Sequence, residues 1–417
     1  MKQTEPLTER RTTTRLLCAS LLLAAAASAG AAGLASETQV KAREVLPPEF
    51  FRSVQYEIAD DAAQSTFFYH FRVTSDYGSF EVSSIPMLRI RLHEIITVAT
   101  VTPVLEKSSE SLARDLAGRR GVGGDSVAGI ISDPLGTAGK LIGNLAYNFE
   151  ETFVEPGGNK SAGTTKEFEG FEVDPGPHKR SAAAQLDVDV YSSNTALQRV
   201  LDAIAKARSA GNLRGPVALP QDARVTPQEF GSGVLDTRLR SMLKNQSAGE
   251  INGEVDTRLA AAGVARATRV EFLTNKSFSP RTRLYLSSYL AQLKQTRRID
   301  HIVTTANTAT TEADALAFVN LARMAAFHEL TGNHIDRIAM RQNFPVLLTE
   351  AKTLVLALPV DHFSWTGENA SLIEELEKLA SAEGAESVTI LIVGRAQDDA
   401  AAELIARGVR LFEEYSF

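Results

Sequence analysis

The chain has 417 residues, 44% of them hydrophobic and 23% charged, with a formal net charge of -7. This is ordinary globular composition, long enough for more than one domain, and it excludes a disordered or fibrous chain. The acidic balance also excludes nucleic acid as a partner in this reading, because neutralising phosphates needs a basic face and no basic cluster follows the first residues.

Residues 1–35 have the order of a cleavable export signal. Arg10, Arg11 and Arg15 precede an apolar stretch from Leu16 to Ala27, and small residues follow. Ala27-Ser28-Ala29 offers one cleavage site and Gly33-Leu34-Ala35 a second. Ala, Ser and Gly dilute the stretch too much for a retained anchor. The chain's single cysteine, Cys18, stands inside the apolar stretch rather than after it, which is not the arrangement of an acylated lipoprotein. Cleavage would leave a cysteine-free mature chain, without disulfides, thiolate metal ligands or a cysteine nucleophile. The expected location is the periplasm or cell envelope.

Residues 36–116 read as an N-terminal α+β region. From Thr66 to Val82 hydrophobic residues alternate, with Ser75-Asp76-Tyr77-Gly78 as the turn of a β-hairpin. From Pro86 the pattern turns helical, through Ile90, Leu92, Ile95 and Val98, with an interruption expected at Pro103. Residues 117–180 are Gly-rich and irregular apart from one amphipathic helix at 134–153, whose stripe runs from Leu135 to Phe149. That stripe suits packing on a neighbouring region better than a membrane surface, since Glu150 and Glu151 oppose anionic lipid.

Residues 181–332 read as helical. Asn194 caps one helix that ends at Gly211; others are expected at Val234–Lys244, Glu250–Ala262 and, behind Ser279-Pro280, Arg281–Lys294. The run from Ala313, apolar almost all round, is expected to be a central buried helix stopped by Gly332. Residues 333–417 begin with short strands and continue as strand–helix–strand–helix–strand from Thr353 to Phe412, the pattern of parallel strands with crossover helices. The fold class expected is therefore α+β: a helix-rich middle, an N-terminal β-hairpin/helix piece and a C-terminal α/β (βαβαβ) layer.

The patches LDVDVYSSNTALQRVLD, FSPRTRLYL and VDHFSWT, scattered along most of the mature chain, resemble a group of uncharacterised exported proteins of Gram-negative bacteria with no assigned activity. The resemblance implies export and carries over no catalytic residue.

Motifs with defined chemistry each fail at a required position. His93-Glu94 and His328-Glu329 open like a zinc-protease helix, but Thr97 and Gly332 stand where the second histidine belongs. Asp187, Asp189, Tyr191 and Ser193 have the spacing of a calcium loop, yet Ser192 replaces its turn glycine and Gln198 its closing glutamate, so only an irregular calcium site stays open. Gly139-Lys140 lacks the first glycine of a P-loop, GVGGDS lacks a preceding strand, and Gly231-Ser232-Gly233 lacks the earlier glycine of a nucleophile elbow. No metal, cofactor or oligomeric state is expected from these residues.

Ligands of open α/β sheets sit beyond the carboxyl ends of the strands. Those ends carry Asp361, His362 and Trp365 after one strand and Arg395 after the next, and these four are the ligand-site candidates. A carboxylate beside a histidine suits general-base chemistry, and an arginine fork suits a carboxylate or phosphate. Neighbours in an extended segment point opposite ways, however, so Asp361 and His362 share a ligand only if the backbone turns. The alternative is structural: Asp361 at a turn, Trp365 in the domain seam, and Ser371 or Asn369 capping the next helix. The leading expectation is an exported binding or interaction protein. A hydrolase built on His362, Asp361 and Arg395 and a peripheral membrane protein are the competing ones.

Overall fold

The computed structural model describes residues 38–120, 174–209, 211, 213, 234–341 and 344–415. The export signal with Cys18, the amphipathic stretch 134–153, the Gly139-Lys140 pair and Gly231-Ser232-Gly233 lie outside the described residues.

The N-terminal region is an antiparallel sheet. Strand β1 (Thr38–Lys41) leads into a single turn, α1 (Ala42–Val45), followed by β2 (Glu57–Ile58), β3 (Asp61–Gln64), β4 (Tyr69–Ser75) and β5 (Gly78–Ser83). Strands β4 and β5 form the hairpin expected from the alternation, paired from His70–Ser83 to Ser75–Gly78. Phe71, Val73 and Val82 turn inward. Gly78 at φ 141 takes a turn conformation that costs a side chain dearly. The three strands before the hairpin, of four residues or fewer each, are too short to show a period in the sequence.

Helix α2 (Ile85–Arg120) departs from expectation by running through Pro103. A mid-helix proline costs about 3 kcal/mol. Here Val98 and Val101 anchor the preceding turns in a satellite core with Leu186, Leu197 and Ile204, so packing holds the helix on course.

Helices dominate the middle: α3 (Gly176–Leu186), α4 (Thr195–Ser209), α5 (Val234–Asn245), α6 (Ala248–Ala261), α7 (Arg266–Thr274), α8 (Pro280–Leu290), α9 (Asp300–Ala306) and α10 (Glu312–Leu330). Asn194 caps α4 as expected, its Oδ1 accepting from the Ala196 and Leu197 N–H groups. Ser279 accepts from the Thr282 N–H at the start of α8. That helix closes at Leu290, four residues before the expected end. Helix α10 is buried on almost every side and packs against α8. Helices α3, α7 and α9 were not expected, being short and only weakly periodic.

The C-terminal region carries a mixed sheet of β6 (Ile335–Arg341), β7 (Phe344–Thr349), β8 (Thr353–Leu358), β10 (Ser387–Ile392) and β12 (Arg410–Phe412), in the order β12-β10-β8-β7-β6. Between them stand the two-residue β9 (His362–Phe363), α11 (Gly367–Glu383), β11 (Arg395–Ala396) and α12 (Asp398–Ala406). Strands β8, β10 and β12 are parallel, which confirms the βαβαβ reading of Thr353–Phe412. Strands β6 and β7 add antiparallel pairing at the other edge. The cap of α11 is Thr366, whose side chain accepts from the Asn369 N–H; neither Ser371 nor Asn369 holds that place. The α+β class thus holds throughout, and one hydrophobic core runs from Phe50 and Phe71 through Tyr285 and Phe318 to Leu356 and Ile390. A separate cluster lies between α2, α3 and α4.

Candidate functional site

Of the four residues expected at the strand ends, Asp361 and His362 both meet Tyr69, while Trp365 meets Arg407 and Arg395 meets Glu414. The Asp361 carboxylate accepts from the backbone N–H of Tyr69 at 3.1 Å and of Ile85 at 3.0 Å. His362 lies over Tyr69 with ring centroids 4.6 Å apart, and its Nδ1 is 3.3 Å from the Gln64 amide nitrogen. Trp365 is half-buried beneath the Arg407 guanidinium, 5.4 Å from the ring centre. Arg395 is exposed and paired with Glu414 at 2.7 Å.

These contacts build a joint between the two sheets. The N–H groups of Asp361 and His362 both donate to the Phe67 carbonyl, at 3.0 and 3.3 Å. The Arg395 N–H donates to the Asp361 carbonyl where β9 and β11 pair in parallel. Gly394 is required here, because a Cβ would sit 1.8 Å from the Asp361 carbonyl oxygen. Burial pushes the Asp361 carboxyl up to about 7, against the pull of the Ile85 and Tyr69 N–H groups. Burial lowers His362 to about 4, so the imidazole is neutral near pH 7. Each shift comes first from lost hydration rather than from a partner within a reactive pair.

A second polar centre was only partly visible in the sequence. Asp187 closes α3 in the left-handed conformation, at φ 57, and the chain then crosses to Asn194 at the start of α4. Along this crossing, carboxylates from α2 and α10 take up the loop's hydroxyls and N–H groups. Glu94 accepts from Ser192 Oγ at 2.5 Å, from Asn194 Nδ2 at 3.2 Å and from Arg91 at 2.7 Å. Glu312 accepts from the Ser193 N–H and Oγ and from Arg91. Asp189 accepts from Ser279 Oγ at 2.6 Å and from the Tyr191 N–H at 3.0 Å. Asp187 pairs with Arg240, which also holds Asp236.

Beside this loop lies a cleft of about 60 Å³. Met87, Ile90 and Leu316 form its apolar side; Glu94, Asp189, Glu312, Ser279, Thr282 and Arg281 are among its polar lining. Burial raises Glu94, against the opposing effects of Arg91, Ser192 and Asn194 and with help from Glu312. Burial likewise raises Asp189, against Arg281 and the Ser279 hydroxyl. Buried carboxylates held above their ordinary range in a concave site are the physical mark of a functional candidate. The calcium-like spacing drew attention to Asp187, Asp189 and Ser193. It missed Glu94 and Glu312, which come from helices far away in sequence.

The residues of the incomplete metal motifs have protein partners. His93 Nε2 is 3.0 Å from the Leu186 carbonyl, and the Asp187–Ser193 carboxylates face arginines and hydroxyls. Among the described residues, no group of three or more His, Cys, Asp or Glu side chains is arranged to hold a metal ion. No helix among them is long and apolar enough to cross a membrane. No family model, curated protein or solved structure matches this chain.

Proposed function

We propose that this chain is an exported protein of the cell envelope that acts by binding or organising partners, with the cleft between α2, the 187–194 loop, α8 and α10 as its binding site. The observation that supports this reading is the ordering of that cleft. Its carboxylates are fixed in place by neighbouring groups: Glu94 and Glu312 by Arg91 behind the lining, Asp189 by the Ser279 hydroxyl, and Asp187 by Arg240. A site held rigid before a ligand arrives loses little freedom on binding, which favours recognition. Glu312 keeps 40% of its side chain exposed at the rim, where a partner meets it first.

The hydrolase reading lacks such support. A general base needs a free nitrogen near a reacting proton, and an anion clamp needs a free guanidinium in the same place. The His362 Nε2 has no hydrogen-bond partner among the described residues, but the residue is 2% exposed and lies against Tyr69, while the Arg395 guanidinium is engaged by Glu414 on the surface.

Two measurements test the proposal. Thermal-shift screening of purified protein against amines, amino acids, sugars and short peptides should find a ligand that stabilises the native chain but not Glu312→Gln or Thr282→Ala. Ester, phosphoester and peptide turnover should be absent. Turnover abolished by His362→Ala or Arg395→Ala would replace the binding reading with the hydrolase. Fractionation of cells should place the protein in the envelope.

A further inference from the structure

We infer that the cleft recognises the terminal ammonium of a linear primary aliphatic amine, through the lone pairs of fixed hydroxyls and carboxylates and an apolar wall for the alkyl stem. This deepens the binding reading and rests on it.

The hydroxyl protons of the cleft are already spent. Ser192 Oγ donates to Glu94, Ser279 Oγ to Asp189, Ser277 Oγ to the Ala309 carbonyl at 3.2 Å and Thr282 Oγ1 to the Ser279 carbonyl at 3.0 Å. A hydroxyl has one proton and two lone pairs, so what these groups still offer a ligand is acceptance. Ionised carboxylates also accept only. Glu94, Asp187, Asp189 and Glu312 stand in the lining against the Arg281 guanidinium, which is turned to Asp187 at 3.6 Å. His93 is committed too, its Nε2 donating to the Leu186 carbonyl. A ligand with donors and no acceptor complements such a surface, and an ammonium has three N–H donors and no lone pair.

Volume and the apolar wall give the rest of the ligand. At about 10–15 Å³ for each water-sized site, a cleft of about 60 Å³ takes roughly four to six non-hydrogen atoms. Met87 and Ile90 from α2 and Leu316 from α10 supply apolar surface for a chain of methylenes. A carboxylate on the ligand would meet Glu312, whose side chain is 40% exposed at the rim. A cation beside Glu94 and Asp189 favours their ionised forms, against the burial that raises both.

Titration of the purified whole chain with n-butylamine, n-butanol, butyrate, tetramethylammonium and calcium chloride at constant ionic strength, read by calorimetry or ligand-observed NMR, tests this. Butylamine should bind saturably, about tenfold or more tighter than the other probes, the margin of one charge-assisted hydrogen bond. Ile90→Phe, which fills the cleft from its apolar side, should abolish that binding. Thr282→Val, which keeps the shape of the side chain and removes its lone pairs, should weaken it about tenfold. If Ile90→Phe does not fold, Thr282→Val carries the test alone. Butylamine binding that neither variant changes overturns the proposal, as does the absence of butylamine binding; the wider ligand screen then decides the site. Tetramethylammonium or calcium held as tightly as butylamine overturns it as well, since neither carries an N–H donor. Butanol or butyrate bound more tightly, and lost with Ile90→Phe, overturns the ammonium while the binding site itself stands.

Discussion

Replacing Arg91 by methionine is the sharpest test of the charged cluster beside the cleft. Methionine keeps the unbranched stem and its packing but removes a guanidinium that is 9% exposed, that donates to Glu94 and Glu312 and that lies over the Phe80 ring at 5.3 Å. Glu94, 2% exposed, then keeps only the Ser192 hydroxyl and the Asn194 amide as partners among those described. Stranding a buried charge costs about 3–5 kcal/mol. The half-exposed Glu312 adds little, because solvent screens it. The cost should also depend on pH. Glu94 is already raised above its unfolded value, so its contribution is fully present below the unfolded pKa and is lost as pH rises through the folded one. Removing Arg91 takes away the strongest opposing effect and raises Glu94 further. Arg91→Met should therefore fall behind the native chain progressively as pH rises through the raised Glu94 titration. Urea denaturation at pH 5 and pH 8 measures the difference, and Arg91→Met with Glu94→Gln should recover most of the loss. A cost below about 1 kcal/mol that is equal at both pH values would refute the reasoning.

Other outcomes follow from the joint and the helix ends. Gly394→Ala should leave little folded protein in the soluble fraction, because its new Cβ meets backbone rather than a yielding side chain. His362, lowered to about 4, contributes stability that is lost as pH falls from about 6.5 toward 4, a span worth up to about 3 kcal/mol. His362→Gln should flatten that part of a stability curve, and an unchanged slope would assign it elsewhere. Ser247 and Glu250 form a reciprocal capping box at the start of α6, so Ser247→Ala should cost about 1 kcal/mol in chemical denaturation. Arg395→Ala should change stability by less than about 1 kcal/mol, since both members of its pair are mostly exposed.

Much of the architecture was legible because its signals are local. The β4–β5 hairpin has a two-residue period and a turn glycine; α10 is apolar almost all round; Thr353–Phe412 places two compact apolar strands around a helix that Thr366 caps. Where the reading slipped, long-range packing had overruled a local cue. Pro103 marks a break that the satellite core around Val98 and Val101 does not permit. Thr366 caps α11 although Asn369 and Ser371 are equally good cap residues; the helix begins earlier, at Gly367, and both lie inside it, donating to the Ser364 and Gly367 carbonyls.

The strand ends show why a sheet's topology alone does not locate a site. Ligands collect beyond the carboxyl ends of parallel strands because the crossover loops there leave backbone groups and space unclaimed. In this chain the loop after β8 is claimed by the other sheet. Phe67 takes its two N–H groups, Tyr69 and Ile85 take its carboxylate, and Gly394 closes its far side to within one atom's width. The polar chemistry that the topology would place there is found instead where α3 hands over to α4. There, a non-glycine residue in a left-handed conformation and six residues of loop draw in Glu94 and Glu312 from helices more than 90 residues away in sequence. The loop's own spacing of Asp187, Asp189 and Ser193 was the visible half of that centre. The acidic half could be found only once the helices had been brought together.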